Sequence, residues 1–141
     1  NAFAKFRAMV AAQGGDVRDV DAPARMCTAK EQIPLRATTD GYVSQLAAEM
    51  VGRAAMLLGA GRTVKGEQID LAVGIVLHKK VGDPVVKGET LATLHANDPT
   101  KAAAAQELLA AAYRITRAQV ALPPLILGMV RENGTELFID E

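Results

Sequence analysis

Few side chains in this sequence of 141 residues are equipped for chemistry. His78, His95 and the single Cys27 are the types that ligate zinc or move a proton near neutral pH. Their number and separations match no zinc-ligand pattern, so no metal ligand is assigned. His95 falls near the end of a predicted strand, where a general acid or base would be conceivable. No carboxylate is placed to orient its ring, and it reads as a packed or solvent-bonded histidine. Gly59-Ala60-Gly61-Arg62 has the composition of a phosphate loop. An anion is held by free N–H groups at a helix N-terminus, whereas these glycines follow an apolar helical run, where the dipole is negative. They read as a helix cap, with Arg62 turned toward the unpaired carbonyls. No catalytic, substrate-binding or metal-ligating residue is therefore assigned.

The densest pattern runs from Lys80 to Asn97, KVGDPVVKGETLATLHAN. Gly82-Asp83 and Lys87-Gly88-Glu89 predict two tight turns around Val85-Val86, followed by an apolar strand from Thr90 to His95. This doubling back resembles the hammerhead-like part of biotinyl and lipoyl carrier domains. Carriers attach their group to a lysine amine at a turn tip, and at the matching spacing this chain has Asp98. The nearest lysine, Lys101, lies past Pro99 in a predicted helix. The shape is shared while the acceptor is missing, and shape alone carries no function.

A chain of this length is expected to be one domain with helical additions, able to bury about two-thirds of its unfolded surface. Its 16 basic and 16 acidic side chains balance, which removes the electrostatic basis for gripping nucleic acid or an anionic membrane. Lys79-Lys80 reads as part of a solvated face. No apolar run approaches the ~18 to 20 residues of a membrane span, and no signal peptide is visible. A lone cysteine fits a reducing compartment, so the expected location is cytoplasmic. The chain opens at Asn1 inside a helical pattern without an initiator methionine, which suggests a fragment of a longer protein.

Phe3, Phe6, Met9 and Val10 predict an amphipathic helix to Gln13, stopped by Gly14-Gly15. Asp16 to Lys30 reads as a surface connection with room for one helical turn. Gln32 to Leu46 predicts two strands joined as a hairpin by Asp40-Gly41. Ala47 to Leu58 predicts a helix with Met50, Val51, Ala54, Leu57 and Leu58 on one face. Ile69 to Leu77 alternates and is the clearest strand expected. Asp98-Pro99 opens an alanine-rich helix through Ala112, with Leu108, Leu109 and Ile115 as apolar contacts. After Gln119 an apolar run interrupted by Pro123-Pro124 leads to a hairpin on Asn133-Gly134, between Met129-Val130 and Leu137-Phe138-Ile139.

Together these residues resemble the C-terminal part of the pyrimidine-nucleoside phosphorylases, the family that includes thymidine phosphorylase. The blocks are Met9-Val10-Ala11-Ala12-Gln13-Gly14-Gly15-Asp16, Asp40-Gly41-Tyr42-Val43, Leu57-Leu58-Gly59-Ala60-Gly61-Arg62, Ile69 through Ile75, and Val81 through Asn97, in the family's order. The resemblance implies an α+β fold, a β-hammerhead (barrel-sandwich-hybrid-like) sheet with packed helices. It divides the chain into residues 1–16, a helix at the end of a preceding α/β domain; 17–118, the hammerhead domain; and 119–141, a tail expected to form a hairpin. It implies a parent enzyme in which inorganic phosphate, as co-substrate and with no cofactor, splits a pyrimidine nucleoside into base and pentose 1-phosphate. It also implies upstream helical and α/β domains as partners, a homodimer, and no nucleic acid or membrane.

Phosphorolysis needs cations and hydroxyls around phosphate and donors for charge growing on the leaving base. In the resembled family these groups lie in a cleft upstream of Asn1, so no catalytic position carries over and the fragment is expected to be inactive. Two other readings stay open: the similar C-terminal domain of AMP phosphorylases, and a free-standing hammerhead binding or carrier-like module.

Overall fold

The computed structural model describes residues 1–62, 64–122 and 124–138. Helix α1 (Ala2–Ala12) is capped by Asn1, whose side chain accepts from the Phe3 amide at 3.0 Å. It ends where expected: the Gly14 and Gly15 amides return to the carbonyls of Ala11 and Val10, the paired bonds of a Schellman cap. The following connection is more helical than its sequence suggested. Asp16 caps α2 (Val17–Asp21), and a 3-10 turn follows at Pro23–Arg25. Arg7 ties α1 to α2 through Asp21 at 2.9 Å, yet no residue of α1, α2 or the 3-10 turn is buried.

Strands β1 (Glu31–Arg36) and β2 (Gly41–Leu46) form as expected but do not pair as a hairpin. With β3 (Gly74–Leu77), β4 (Pro84–Val85), β5 (Thr90–Ala96) and β6 (Tyr113–Thr116) they build two antiparallel sheets, ordered β1-β5-β3 and β4-β2-β6. The Asp40-Gly41 reversal is thus a crossing between sheets. Its carboxylate explains why: Asp40 Oδ1 accepts from the Lys87 amide at 2.7 Å, which pins the crossing to a distant turn. Pro34 fits in β1 because that strand lies at a sheet edge, where a missing N–H need not break the ladder.

The long strand expected from Ile69 is only the four residues of β3. Asp70 prevents the rest: its amide donates to Gly59 O at 3.0 Å, Oδ1 accepts from the Ala72 amide at 3.0 Å, and Oδ2 accepts from Asn97 Nδ2 at 2.7 Å. Residues 69–73 are therefore held off the ladder, and Leu71 is 83% exposed. The Asn97 amide stabilises the ionised carboxyl most, the Ala72 amide next, and together they lower the Asp70 pKa.

Helix α3 (Ala48–Ala55) runs into a wider π turn, Met56–Ala60, in which Gly59 takes φ +111°. The extra residue per turn rotates the face, so Leu58 is buried while Leu57, expected beside it, is exposed. Helix α4 (Pro99–Ala112) starts as read, with Asp98 Oδ1 accepting from the Thr100 and Lys101 amides at 2.8 and 3.0 Å. Ala102, Ala105, Leu109 and Ala112 are its buried residues, and it packs on α3 and the first sheet. Ile115 is not on this helix; it sits on β6, paired with Val43.

One core, containing Leu35, Leu58, Leu94 and Leu109, lies between the first sheet and α3–α4. A second gathers Ala37, Val43, Val85 and Leu91, and Tyr113 packs against both. The tail forms the expected hairpin, β7 (Gly128–Arg131) with β8 (Gly134–Leu137), while Ile139 lies outside the described residues. Its turn is Glu132-Asn133, both with negative φ, and Gly134 takes φ +142° after it, one residue later than the expected Asn-Gly centre.

Candidate functional site

The two-turn unit is present: Gly82 and Gly88 take φ values of +92° and +87°. In the first turn the Lys80 amide donates to Asp83 Oδ2 at 2.7 Å, and Asp83 N returns to Lys80 O at 3.1 Å. Val43 N donates to Asp83 O and Gly82 N to Val43 O, fixing that turn to β2. In the second, Glu89 Oε2 accepts from the Val86 amide at 3.0 Å, while Arg36 Nη1 donates to Gly88 O at 2.9 Å.

Lys79, read as a solvated charge, instead braces the unit. Its ammonium meets Glu89 Oε1 at 2.7 Å and donates to Pro84 O at 3.0 Å. The bond from Lys79, then that from the Val86 amide, hold the Glu89 carboxyl below its ordinary pKa. Lys79, Asp83 and Glu89 are thus engaged in holding the unit's own turns.

The sequence reading missed Tyr113. Its hydroxyl donates to the carbonyls of Lys79 at 3.0 Å and Leu91 at 3.2 Å, so one ring joins both sheets at the end of α4. Burial first, and the Asp83 charge second, push its pKa up to about 12 from 10.0. Because the folded state keeps this proton longer, stability is intact below pH 10 and falls as pH rises toward 12. Tyr113→Phe is expected to flatten that alkaline loss while lowering neutral-pH stability by about 1 kcal/mol. Denaturant titrations across this pH range, in parent and variant, measure both effects.

The residues singled out by chemical type do not converge. His78 Nε2 lies 2.8 Å from Thr93 Oγ1. His95 stands between Gln32 and Gly74 of the flanking strands, and its ring makes no hydrogen bond among the described residues. Cys27 is exposed in the link before β1. Among the described residues no three His, Cys, Asp or Glu side chains form a group able to hold a metal ion, and no helix is long and apolar enough to cross a membrane. Asp98, at the carrier-lysine position, is committed to capping α4. Gly59 and Ala60 close the π turn at the C-terminal end of the helix and Gly61 and Arg62 follow it, so the stretch sits at the helix end that was read. Arg62 nevertheless turns away from it and donates to Glu67 O at 3.0 Å, while the Asp70 amide takes the Gly59 carbonyl.

Two of the hollows are mainly apolar. One of about 360 Å³ lies between α1 and the 3-10 turn, lined by Phe6, Val10, Val20, Pro23 and Met26 with Asp16 and Asp19. Both acids are already paired, with Arg18 and Arg25. Another, of about 500 Å³, is lined by Leu46, Lys80, Val81, Leu122 and Leu125. No polar or charged side chain is buried among the described residues. The helices and small antiparallel sheets define a domain of the α+β class.

Residues 42–116, just over half of the chain, match the family described as the pyrimidine nucleoside phosphorylase C-terminal domain. The chain belongs to that family, which upholds the resemblance read from its sequence. It is 55% identical over 97 residues to the pyrimidine-nucleoside phosphorylase of Geobacillus stearothermophilus, covering 69% of this chain and 22% of that protein. Against the Staphylococcus haemolyticus (strain JCSC1435) pyrimidine-nucleoside phosphorylase the identity is 53% over 97 residues, with the same coverage. The Bacillus subtilis (strain 168) pyrimidine-nucleoside phosphorylase is 45% identical over 133 residues, 93% of this chain and 30% of that protein. The chain spans less than a third of these relatives.

Proposed function

We propose that this chain is the C-terminal bracing domain of a cytoplasmic, homodimeric pyrimidine-nucleoside phosphorylase and is inactive alone. In the whole enzyme, inorganic phosphate attacks the anomeric carbon of a pyrimidine nucleoside and the base departs, leaving pentose 1-phosphate. The phosphate-binding and leaving-group machinery belongs to the remainder of the polypeptide, and no cofactor takes part. Residues 17–118 form the hammerhead unit proper, built on the Gly82 and Gly88 turns, with residues 1–16 and 119–141 as flanking segments.

The observation that carries this reading is family membership through a domain in which no polar side chain is buried among the described residues. A phosphorolysis site needs charged groups fixed around phosphate and out of bulk water. Surface area adds support. The chain exposes 10230 Å², against roughly 7,000 Å² for a compact monomer of this mass. The difference is several times the roughly 800 Å² that one partner contributes to a standard interface. Phe3, Phe6 and Met9, each about half exposed on a helix without buried residues, provide an apolar face for the rest of the polypeptide.

Incubating the purified chain with uridine or thymidine and phosphate is expected to release no base above a buffer blank. The full-length protein is expected to release base under the same conditions. Turnover by the 141-residue chain would overturn the assignment of catalysis to the missing polypeptide. An inert full-length protein would overturn the activity itself.

A further inference from the structure

Asn133 lies exposed in the β7–β8 turn and is followed directly by Gly134. The chain has two other asparagines, Asn1 and Asn97. Both are tied down: Asn1 Oδ1 accepts from the Phe3 amide, while Asn97 accepts from the Lys30 amide and donates to Asp70. The Asn133 carboxamide has no hydrogen-bond partner among the described residues. Gly134 has no side chain to obstruct its nitrogen, and the space where a Cβ would stand holds no atom within 4 Å. The hairpin is equally undefended. All four residues of β8, and Met129, Val130 and Arg131 of β7, are exposed, and a two-stranded ribbon alone is marginal in water. Opening it far enough to bring the Gly134 nitrogen onto Asn133 Cγ therefore costs little.

We propose that Asn133 is a site of self-modification by deamidation. Solvent base takes the Gly134 amide proton, the Gly134 nitrogen bonds to Asn133 Cγ, and the Cγ–Nδ2 bond breaks. The departing nitrogen takes up a proton and leaves as ammonia. Water then adds to either carbonyl of the resulting succinimide and opens it to aspartate or isoaspartate. One water enters, one ammonia leaves, and nothing is oxidised or reduced. Either product places a new negative charge beside Glu132 and near Glu136. Isoaspartate also inserts a carbon into the main chain at the turn, which breaks the Arg131–Gly134 register. The tail thus carries a slow chemical switch on its pairing.

The test is peptide mapping of the folded chain after incubation in mildly alkaline and mildly acidic buffer. A mass gain of about 1 Da, with isoaspartate detectable, is expected on the Asn133 peptide and faster in alkali, while the Asn97 peptide stays unchanged. Asn133→Gln should abolish the gain on the tail peptide. Absence of the gain at Asn133, or equal gain at Asn97, would overturn the proposal.

Discussion

Replacing Gly41 by alanine is expected to destabilise the domain by about 3 kcal/mol or more and to lower Tm by about 10 °C. Gly41 opens β2 at φ +151°, a conformation that side-chain-bearing residues rarely adopt. A methyl group there would overlap the Thr116 carbonyl oxygen and come within 3.0 Å of Ile115 Cγ2. The backbone has little room to yield. Tyr42 is in register with Thr116, Val43 is fully buried, and the Val43 amide is bonded to Asp83 O. Two controls separate strain from collision. Gly66→Ala, at φ +91° with open space around it, should lose only about 1 kcal/mol. Gly52→Ala, helical and unobstructed, should be neutral or stabilising by up to about 1 kcal/mol. Thermal and urea unfolding followed by circular dichroism decides it, and a Gly41→Ala loss no larger than that of Gly66→Ala would disprove the close approach of β2 and β6.

The same position shows what a sequence can and cannot disclose. Helix limits were legible where the determinant is local: Gly14-Gly15 after α1, and Asp98-Pro99 before α4, act within a few residues of themselves. Strand partners were not. Asp40-Gly41 has the composition of a hairpin turn, but its outcome was decided by a carboxylate bonding an amide 47 positions away. The alternation from Ile69 to Leu77 likewise predicted a long strand, until Asp70 bonded to Gly59, Ala72 and Asn97 and removed half of it. Strand β6 was hidden because an alanine run of high helical propensity leads straight into Tyr113, and only the two sheets it joins require a strand there.

The candidate site was legible in a different sense, since chemistry depends first on residue type. An anion loop at the wrong helix end and a carrier turn without its lysine were rejected by rules that hold in any fold. What could not be seen was how polar groups would be spent. Lys79 read as a surface charge but braces the second turn through Glu89. Arg62 was expected to meet helix carbonyls but bonds Glu67 O, while the Asp70 amide takes the Gly59 carbonyl. Tyr113 offered one signal, an aromatic hydroxyl directly after a helix otherwise built of small residues, where a buried ring needs a polar partner at its tip.

Adjacent leucines in α4 provide the second large effect. Leu109→Ala is expected to destabilise by about 3 to 4 kcal/mol, and Leu108→Ala by about 1 kcal/mol. Periodicity alone named both as apolar contacts. In the folded chain Leu109 is 0% exposed, among the largest fully buried side chains with Leu94 and Val43, whereas Leu108 lies partly buried at the margin of the same core. The surroundings of Leu109 amplify its loss. Ala54, Ala92, Ala96, Ala102 and Ala105 share its cluster, and alanines have no longer side chain with which to refill a vacated volume. A cavity that cannot relax adds to the lost transfer free energy, which keeps this site clear of the lower end of the range for leucine truncations. Urea midpoints at constant slope measure both changes. Equal losses at the two positions would mean that α4 presents a different face to the first sheet, and the small-residue packing of α4 on α3 would have to be redrawn.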